Sequence, residues 1–136
     1  MKPASLVVAA GALLIASSPG CHNPSATGDL LLLHVETLDA PTTIAPGATL
    51  TVGLIVGVGG CLKFDHIQSL RTGSQVVLTV WGRDIRAGIT DREIMCSRQF
   101  LEPHEYRLDP PFPSSFEVVV AEPADQSNLN ATVTVR

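Results

Sequence analysis

Apolar and polar residues alternate along most of the chain after residue 29, and this two-residue period predicts β-strands. The clearest example is the segment ATLTVGLIVGVGG, which begins at residue 48; SQVVLTVWG, SSFEVVVAE and NATVTVR follow the same pattern. Successive side chains of a strand point to opposite faces, so each segment is expected to bury one face. The residues predicted to point inward are Leu50, Val52, Leu54, Val56, Val58, Val76, Leu78, Val80, Phe116, Val118, Val120, Ala131, Val133 and Val135.

Residues 30–38 are assigned to the same pattern, and less regular apolar segments predict further strands at residues 64–71, around 94–100 and at 104–109. No stretch carries the 3.6-residue apolar stripe of an amphipathic helix, so the crossover helices of a parallel sheet are not expected. We therefore predict an all-β fold, an antiparallel immunoglobulin-like β-sandwich of seven to eight strands. A small closed barrel is the alternative.

The first 21 residues, MKPASLVVAAGALLIASSPGC, have a different pattern. Lys2 supplies positive charge, residues 6–16 form an apolar run of 11 residues, and residues 17–20 are small or turn-forming. Eleven residues of helix rise about 16 Å, too short for a bilayer core of roughly 30 Å. This pattern predicts an export signal, and an uncleaved N-terminal anchor is the alternative.

The end of this segment, Ser18-Pro19-Gly20-Cys21, resembles the lipobox of bacterial lipoproteins. In that family small residues precede a cysteine that is lipidated and becomes the new N-terminus. Gly20 fits this pattern, whereas Ser18 stands where the family usually has leucine, and Pro19 is unusual at its position. The resemblance covers only about the first 21 residues and says nothing about the domain that follows. It implies cleavage before Cys21 and attachment of acyl chains such as palmitate to it.

The implied organisation is a signal peptide at residues 1–20, a polar tether at 21–29 and a β-sandwich domain at 30–136. A lipid-anchored protein of this kind is expected at the outer membrane or the cell surface. If Cys21 is not lipidated, the protein is expected to be secreted.

Three cysteines are an odd number for an exported protein. If Cys21 is acylated, Cys61 and Cys96 remain, and we predict a disulfide between them. Two free buried cysteines are the alternative if the protein stays in the cytosol. Cys61, Trp81 and Cys96 are too close together for the Cys–Trp–Cys spacing of true immunoglobulin domains, so the resemblance to those domains is architectural only.

The charge balance is acidic, with 9 Lys and Arg against 13 Asp and Glu and a formal net charge of −4. Removal of Lys2 with the leader would leave 8 against 13, a formal charge of −5. This balance argues against non-specific nucleic-acid binding, which needs cations to neutralise phosphates. The expected partners are a membrane, through the lipid anchor, and an envelope protein; no cofactor is expected.

Candidate chemistry is sparse. His34, Glu36, His66 and His104 are the candidate metal ligands or catalytic groups, but no HExxH or CxxC spacing connects them. Cys96 and His104 would form a nucleophilic pair only if the thiol were free. No catalytic or metal-binding residue is therefore assigned.

Two segments are candidate contact surfaces. The Pro-rich stretch at 108–116, LDPPFPSSF, predicts a stiff loop whose Phe112 either is presented to solvent or plugs the end of the sandwich. The mixed-charge stretch at 83–98 flanks the apolar pair Ile94-Met95, which suits a polar-rimmed contact or a solvated hairpin end.

The function predicted is that of a small exported lipid-anchored envelope protein, not an enzyme, that acts as a binding or structural module. A secreted hydrolase inhibitor that uses the Pro-rich loop and a metal-binding or enzymatic domain are the alternatives.

Overall fold

The structure, a computed structural model, describes residues 29–86 and 95–136. These residues form strands without any helix, which confirms the all-β fold class. Two sheets pack face to face around one apolar core. The strands are β1 (Leu30–Leu32), β2 (Val35–Asp39), β3 (Thr43–Ile44), β4 (Leu50–Val58), β5 (Leu62–Thr72), β6 (Gln75–Asp84), β7 (Phe100–Leu108), β8 (Ser115–Ala121) and β9 (Leu129–Val135).

The larger sheet is built around β6. Strand β5 pairs along one edge of β6, while β8 and then β1 occupy successive parts of the other edge. Strand β9 lies between β8 and the two-residue β3. The β6–β8 and β3–β9 pairs are parallel, and the remaining pairs are antiparallel.

The prediction of a purely antiparallel sandwich is therefore wrong for these two pairs. It assumed that a parallel pair needs a helical crossover, because helices are the usual way to carry the chain back. Here the return path between β6 and β8 runs through β7, which lies in the other sheet. A strand of the facing layer takes the place of the expected helix.

The three-stranded sheet has the order β2-β4-β7 and is antiparallel throughout. Strand β4 follows the predicted alternation: every second residue from Leu50 to Val58 is buried, and the residues between them are exposed or half-buried. The outward side chains of β4 therefore line the outer face of this sheet.

The number of strands also differs from the prediction, since nine are described. Residues 30–38 form two strands rather than one, because the chain crosses from one sheet to the other at Leu33 and His34. The Leu33 amide donates to the Val80 carbonyl of the larger sheet, and the His34 carbonyl accepts from the Gly57 amide of the smaller sheet, both at 2.9 Å. The strands predicted around 94–100 and at 104–109 are replaced by the single strand β7.

The core between the sheets is almost entirely aliphatic, as the low aromatic content requires. Its fully buried members come from both sheets and include Leu50, Leu54, Leu78, Val118 and Val133. Phe116 is the aromatic side chain among the buried residues of the described chain. Within the described residues there is no helix with the length and hydrophobicity that crossing a bilayer requires.

Candidate functional site

A buried carboxylate stabilises the place where the chain crosses between the sheets. The side chain of Glu122, which follows β8, is 1% exposed. Its Oε1 and Oε2 accept from the backbone N–H of Val35 at 3.0 and 3.2 Å, and its own amide donates to Asn128 Oδ1 at 3.0 Å. A buried N–H without a partner is costly, so Glu122 satisfies a donor that the crossing would otherwise leave unpaired.

The same carboxylate orients the imidazole of His34. Nδ1 of His34 lies 2.7 Å from Oε2 of Glu122, and Nε2 lies 3.3 Å from Oε2 of Glu36 on the outer face. The hydrogen bond to Glu122 is the main cause that raises the pKa of His34 above its ordinary value, against a smaller desolvation that lowers it. The imidazolium is therefore favoured at this position, between one buried and one exposed carboxylate.

The segment of residues 96–99, which precedes β7 and which the disulfide ties to the turn after β4, lies next to His34 and Glu36. We call it the tied segment. Cys61 is joined to Cys96, with the Cα atoms 4.7 Å apart, inside the usual range for a bridge. The Gly60 amide also donates to the Ser97 carbonyl at 3.0 Å. At Gly59, which has a φ of 88°, a Cβ would lie 2.3 Å from the Arg98 carbonyl oxygen, so only glycine allows this close approach.

The crossing and the tied segment border an open cavity of about 330 Å³. We call this region the sandwich-end site. The exposed Phe100 and Leu101 form its apolar wall, while His34 and Glu36 supply its polar groups. A concave apolar surface with a few oriented polar groups is typical of a binding site. The residues that line it are His34, Glu36, Gly57, Val58, Gly59, Leu62, Gln99, Phe100 and Leu101.

The structure does not bring the four candidate metal ligands together. His66 lies on the outer face of the larger sheet, where its Nδ1 is 2.5 Å from Asp65 Oδ2. His104 points toward the gap between the sheets and stacks on Phe64, with ring centroids 3.8 Å apart. Among the described residues, no three His, Cys, Asp or Glu side chains are placed to hold one metal ion.

His104 has one unsatisfied group. Its Nε2 is buried and lacks a hydrogen bond among the described residues, although Oε2 of Glu102 is 3.5 Å away. At this distance the two groups form an ion pair only when the imidazole carries a proton on both nitrogens. The proposed pairing of His104 with the Cys96 thiol does not occur, because the disulfide consumes the thiol.

The Pro-rich loop, which connects β7 to β8, plugs the end of the sandwich and does not present Phe112 to solvent. The Phe112 ring is half-buried and stacks on Phe116, with centroids 4.8 Å apart, and the Arg71 guanidinium lies 4.8 Å from the centre of the Phe112 ring. Arg71 also donates to the carbonyl oxygens of Asp109 and Pro111. The loop is thus pinned to the domain by three kinds of contact.

The mixed-charge stretch is described only at its two ends. Arg83 pairs with Asp65, and Arg86 pairs with Asp84 at 2.7 Å. These contacts with Arg86 lower the pKa of Asp84 to about 2. Met95 is almost fully exposed, whereas Ile94 lies outside the described residues. Cys21 and the whole leader also lie outside them.

Sequence reasoning did not identify Glu122 as a structural group. The signal was present, because Phe116, Val118, Val120 and position 122 fall on one face of the alternating segment. A carboxylate that follows three inward apolar residues at the same spacing predicts a buried charge with dedicated partners.

Comparison of the chain with protein-family models, curated protein sequences and solved structures gives no match. Its function is therefore inferred from the geometry of the described residues alone.

Proposed function

We propose that this chain is a small exported protein, held at an envelope membrane by lipid on Cys21, whose sandwich binds a protein partner through the sandwich-end site. The observation that carries the proposal is the exposed apolar surface there. Phe100 and Leu101 both line the cavity and are 54% and 57% exposed. Exposed apolar clusters with a polar rim mark interaction surfaces.

The disulfide supports the export part of the proposal. Disulfides persist in oxidising compartments and are rare in the cytosol. The Cys61–Cys96 bridge also leaves Cys21 as the single remaining cysteine, which agrees with its assignment as the lipidated residue. A structural disulfide beside the apolar surface would hold that surface in place outside the cell.

Binding fits the geometry better than catalysis. Both ring nitrogens of His34 contact carboxylates, so neither is directed at a hydroxyl or thiol among the described residues. A general base needs a ring nitrogen within reach of the proton that it removes. His34 is instead held by two carboxylates on the rim of the cavity.

The inhibitor alternative is less well supported, because an inhibitory loop must present its side chains to an enzyme. Phe112 packs against Phe116 and Arg71 instead.

The immunoglobulin-like class of the sandwich stays a prediction. The parallel β6–β8 pair departs from the antiparallel pattern of that class.

The anchoring part is tested by mass spectrometry of the mature protein from the envelope fraction. We expect an N-terminus at Cys21 with the added mass of acyl chains, and partition into detergent. Cys21→Ser is expected to release the protein or to stall its processing. A mature N-terminus elsewhere, without added mass, would remove the anchor and leave a secreted protein.

The binding part is tested by photo-crosslinking from position 100 in the cells that produce the protein. We expect a discrete crosslinked species from Phe100 and none from Leu70, which is 63% exposed on the larger sheet and serves as the matched control. Phe100→Ala combined with Leu101→Ala should abolish a crosslink made from Gln99. Equal crosslinking from positions 70 and 100 would contradict a specific surface.

A further inference from the structure

The outer face of the three-stranded sheet carries a trough along its central strand, β4. The outward positions of β4 are Thr51, Gly53, Ile55 and Gly57, so two of the four have no side chain. A cavity of about 690 Å³ lies over its middle. Strands β2 and β7 form the walls, and we call this surface the β4 trough. Its outward-facing lining residues are Thr37, Asp39, Gly53, Ile55, Pro103 and Glu105.

The fold does not require the two glycines of the trough. Neither has a positive φ. A Cβ on Gly53 would lie 3.6 Å from the Asp39 Cβ, and one on Gly57 would lie 3.6 Å from the His34 carbonyl oxygen, which are ordinary contacts. Glycine weakens a strand relative to alanine, and in a strand interior it often marks a place where another chain approaches closely.

The exposed carboxylates of the trough favour a positively charged ligand. Asp39 and Glu105 are in register with Gly53 from opposite sides, so their Cα atoms are roughly 10 Å apart, twice the strand spacing. Among the described residues, no Lys, Arg or His forms an ion pair with either carboxylate. Glu36 near Gly57 is already paired with His34, and Arg107 lies opposite Thr51 at the other end, so the negative charge of the trough is centred on Gly53.

We propose that the β4 trough binds an extended polypeptide segment that places a lysine or arginine over Gly53 and an apolar side chain over Gly57. An extended chain repeats every two residues, so its side chains i and i+4 are about 13 Å apart, which is the separation of these two glycines along β4. The cation then lies between Asp39 and Glu105, and a small residue passes Ile55. The apolar side chain contacts Leu101, so the inference rests on the proposed binding role of the sandwich-end site.

The test uses the mature protein, purified from the envelope in non-ionic detergent or from the medium, and a labelled peptide. The probe is acetyl-Thr-Lys-Thr-Ala-Thr-Leu-Thr-amide, with the reversed order as a second probe because either chain direction fits. Fluorescence anisotropy should show binding that weakens with added salt and at least a tenfold loss when glutamate replaces the lysine. Hydrogen exchange should show protection in β2, β4 and β7.

Two variants separate the trough from general effects. Gly53→Ala should leave the thermal midpoint unchanged or higher and weaken peptide binding at least tenfold, because the Cβ fills the floor. Asp39→Asn with Glu105→Gln should weaken binding to a similar extent and reduce its dependence on salt. Peptide affinity unchanged in both variants, or protection confined to the larger sheet, would overturn the proposal.

The remaining outcomes are also decisive. A concentration-dependent dimer that Gly53→Ala abolishes would assign the trough to a second copy of this chain and overturn the peptide assignment. If Phe100→Ala removes the partner crosslink while Gly53→Ala and Asp39→Asn do not affect it, the trough inference fails and the proposed function stands. Loss of both together supports one continuous surface.

Discussion

Glu122 and Glu36 contact the same imidazole from very different environments. Glu122 is buried and also accepts from the Val35 backbone, whereas the Glu36 side chain is 58% exposed. A hydrogen bond made by a buried group contributes more to stability than one made at the surface, because removing it leaves the partner without water or protein to replace it. The two carboxylates therefore form a matched pair for mutation.

Glu122→Gln is expected to lower the free energy of unfolding by about 1–3 kcal/mol, because an amide keeps the shape but loses the charge that both donors contact. Glu36→Gln should change it by less than about 0.5 kcal/mol. Urea denaturation of both variants, monitored by circular dichroism, measures the difference. Equal losses would contradict the structural role of Glu122.

His34 makes the free energy of unfolding of the domain depend on pH, and the direction of that dependence follows from its raised pKa. Its pKa is raised in the folded state, so its contribution to stability is fully present below the unfolded value of 6.5 and is lost as the pH rises through the raised pKa. The groups that face it are Glu122 and Glu36. The free energy of unfolding should therefore fall as the pH rises above about 6.5.

In His34→Gln this fall should be absent, because an amide does not titrate. Urea denaturation of the parent and the variant at pH values below and above 6.5 makes the comparison, and the ring proton resonances of His34 in the folded protein should titrate above 6.5. A difference between parent and variant that stays constant with pH would contradict the paired imidazolium.

At the level of elements, the alternating segments were predictable and their partners were not. The inward faces of β4, β6 and β8 follow from the sequence, because a two-residue period fixes which side chains a strand buries. Pairing depends on how strands from both sheets meet, and that information is not local. The crossing at Leu33 and His34 was missed because residues 30–38 contain no glycine or proline that would mark a break between two strands.

The disulfide links two segments that lie outside the strands. It joins the turn after β4 to the segment before β7 and closes a loop with a sequence separation of 35. On the chain-entropy model, Cys61→Ala with Cys96→Ala should lower the free energy of unfolding by roughly 4 kcal/mol, less any strain relieved. Reduction of the parent protein should give a similar loss. No change on reduction would show that the bridge contributes nothing.

Glycines in two strands are expected to respond in opposite directions to alanine. A Cβ on Gly82 in β6 would lie 2.5 Å from Leu33 Cδ2, inside the core, so Gly82→Ala should lower stability by about 1–3 kcal/mol. Gly53→Ala has room for its methyl group and should raise stability by about 0.4–1 kcal/mol. Thermal unfolding of the two variants measures both changes. The same sign for both would contradict the close approach at Gly82 or the open space at Gly53.

At the scale of the whole molecule, all of the described core lies between Leu33 and Val133. Strand β9 at the C-terminus is not a peripheral element, because it pairs with β8 on one side and β3 on the other. The domain should therefore tolerate removal of the residues that precede it and should not tolerate removal of its last strand. The predicted boundary at residue 30 stays a prediction until such a truncation is made.

A protein of residues 28–136 is expected to fold on its own, with the circular-dichroism spectrum of a β protein and one cooperative unfolding transition, because both sheets and the Cys61–Cys96 bridge are retained. The matched control is residues 28–128, which lacks β9 and therefore also lacks the core side chain of Val133. This shorter protein should lack a cooperative transition, since β8 would become an exposed edge over an opened core. A helical or disordered spectrum for residues 28–136 would refute the all-β fold, and cooperative folding of residues 28–128 would contradict the central place of β9.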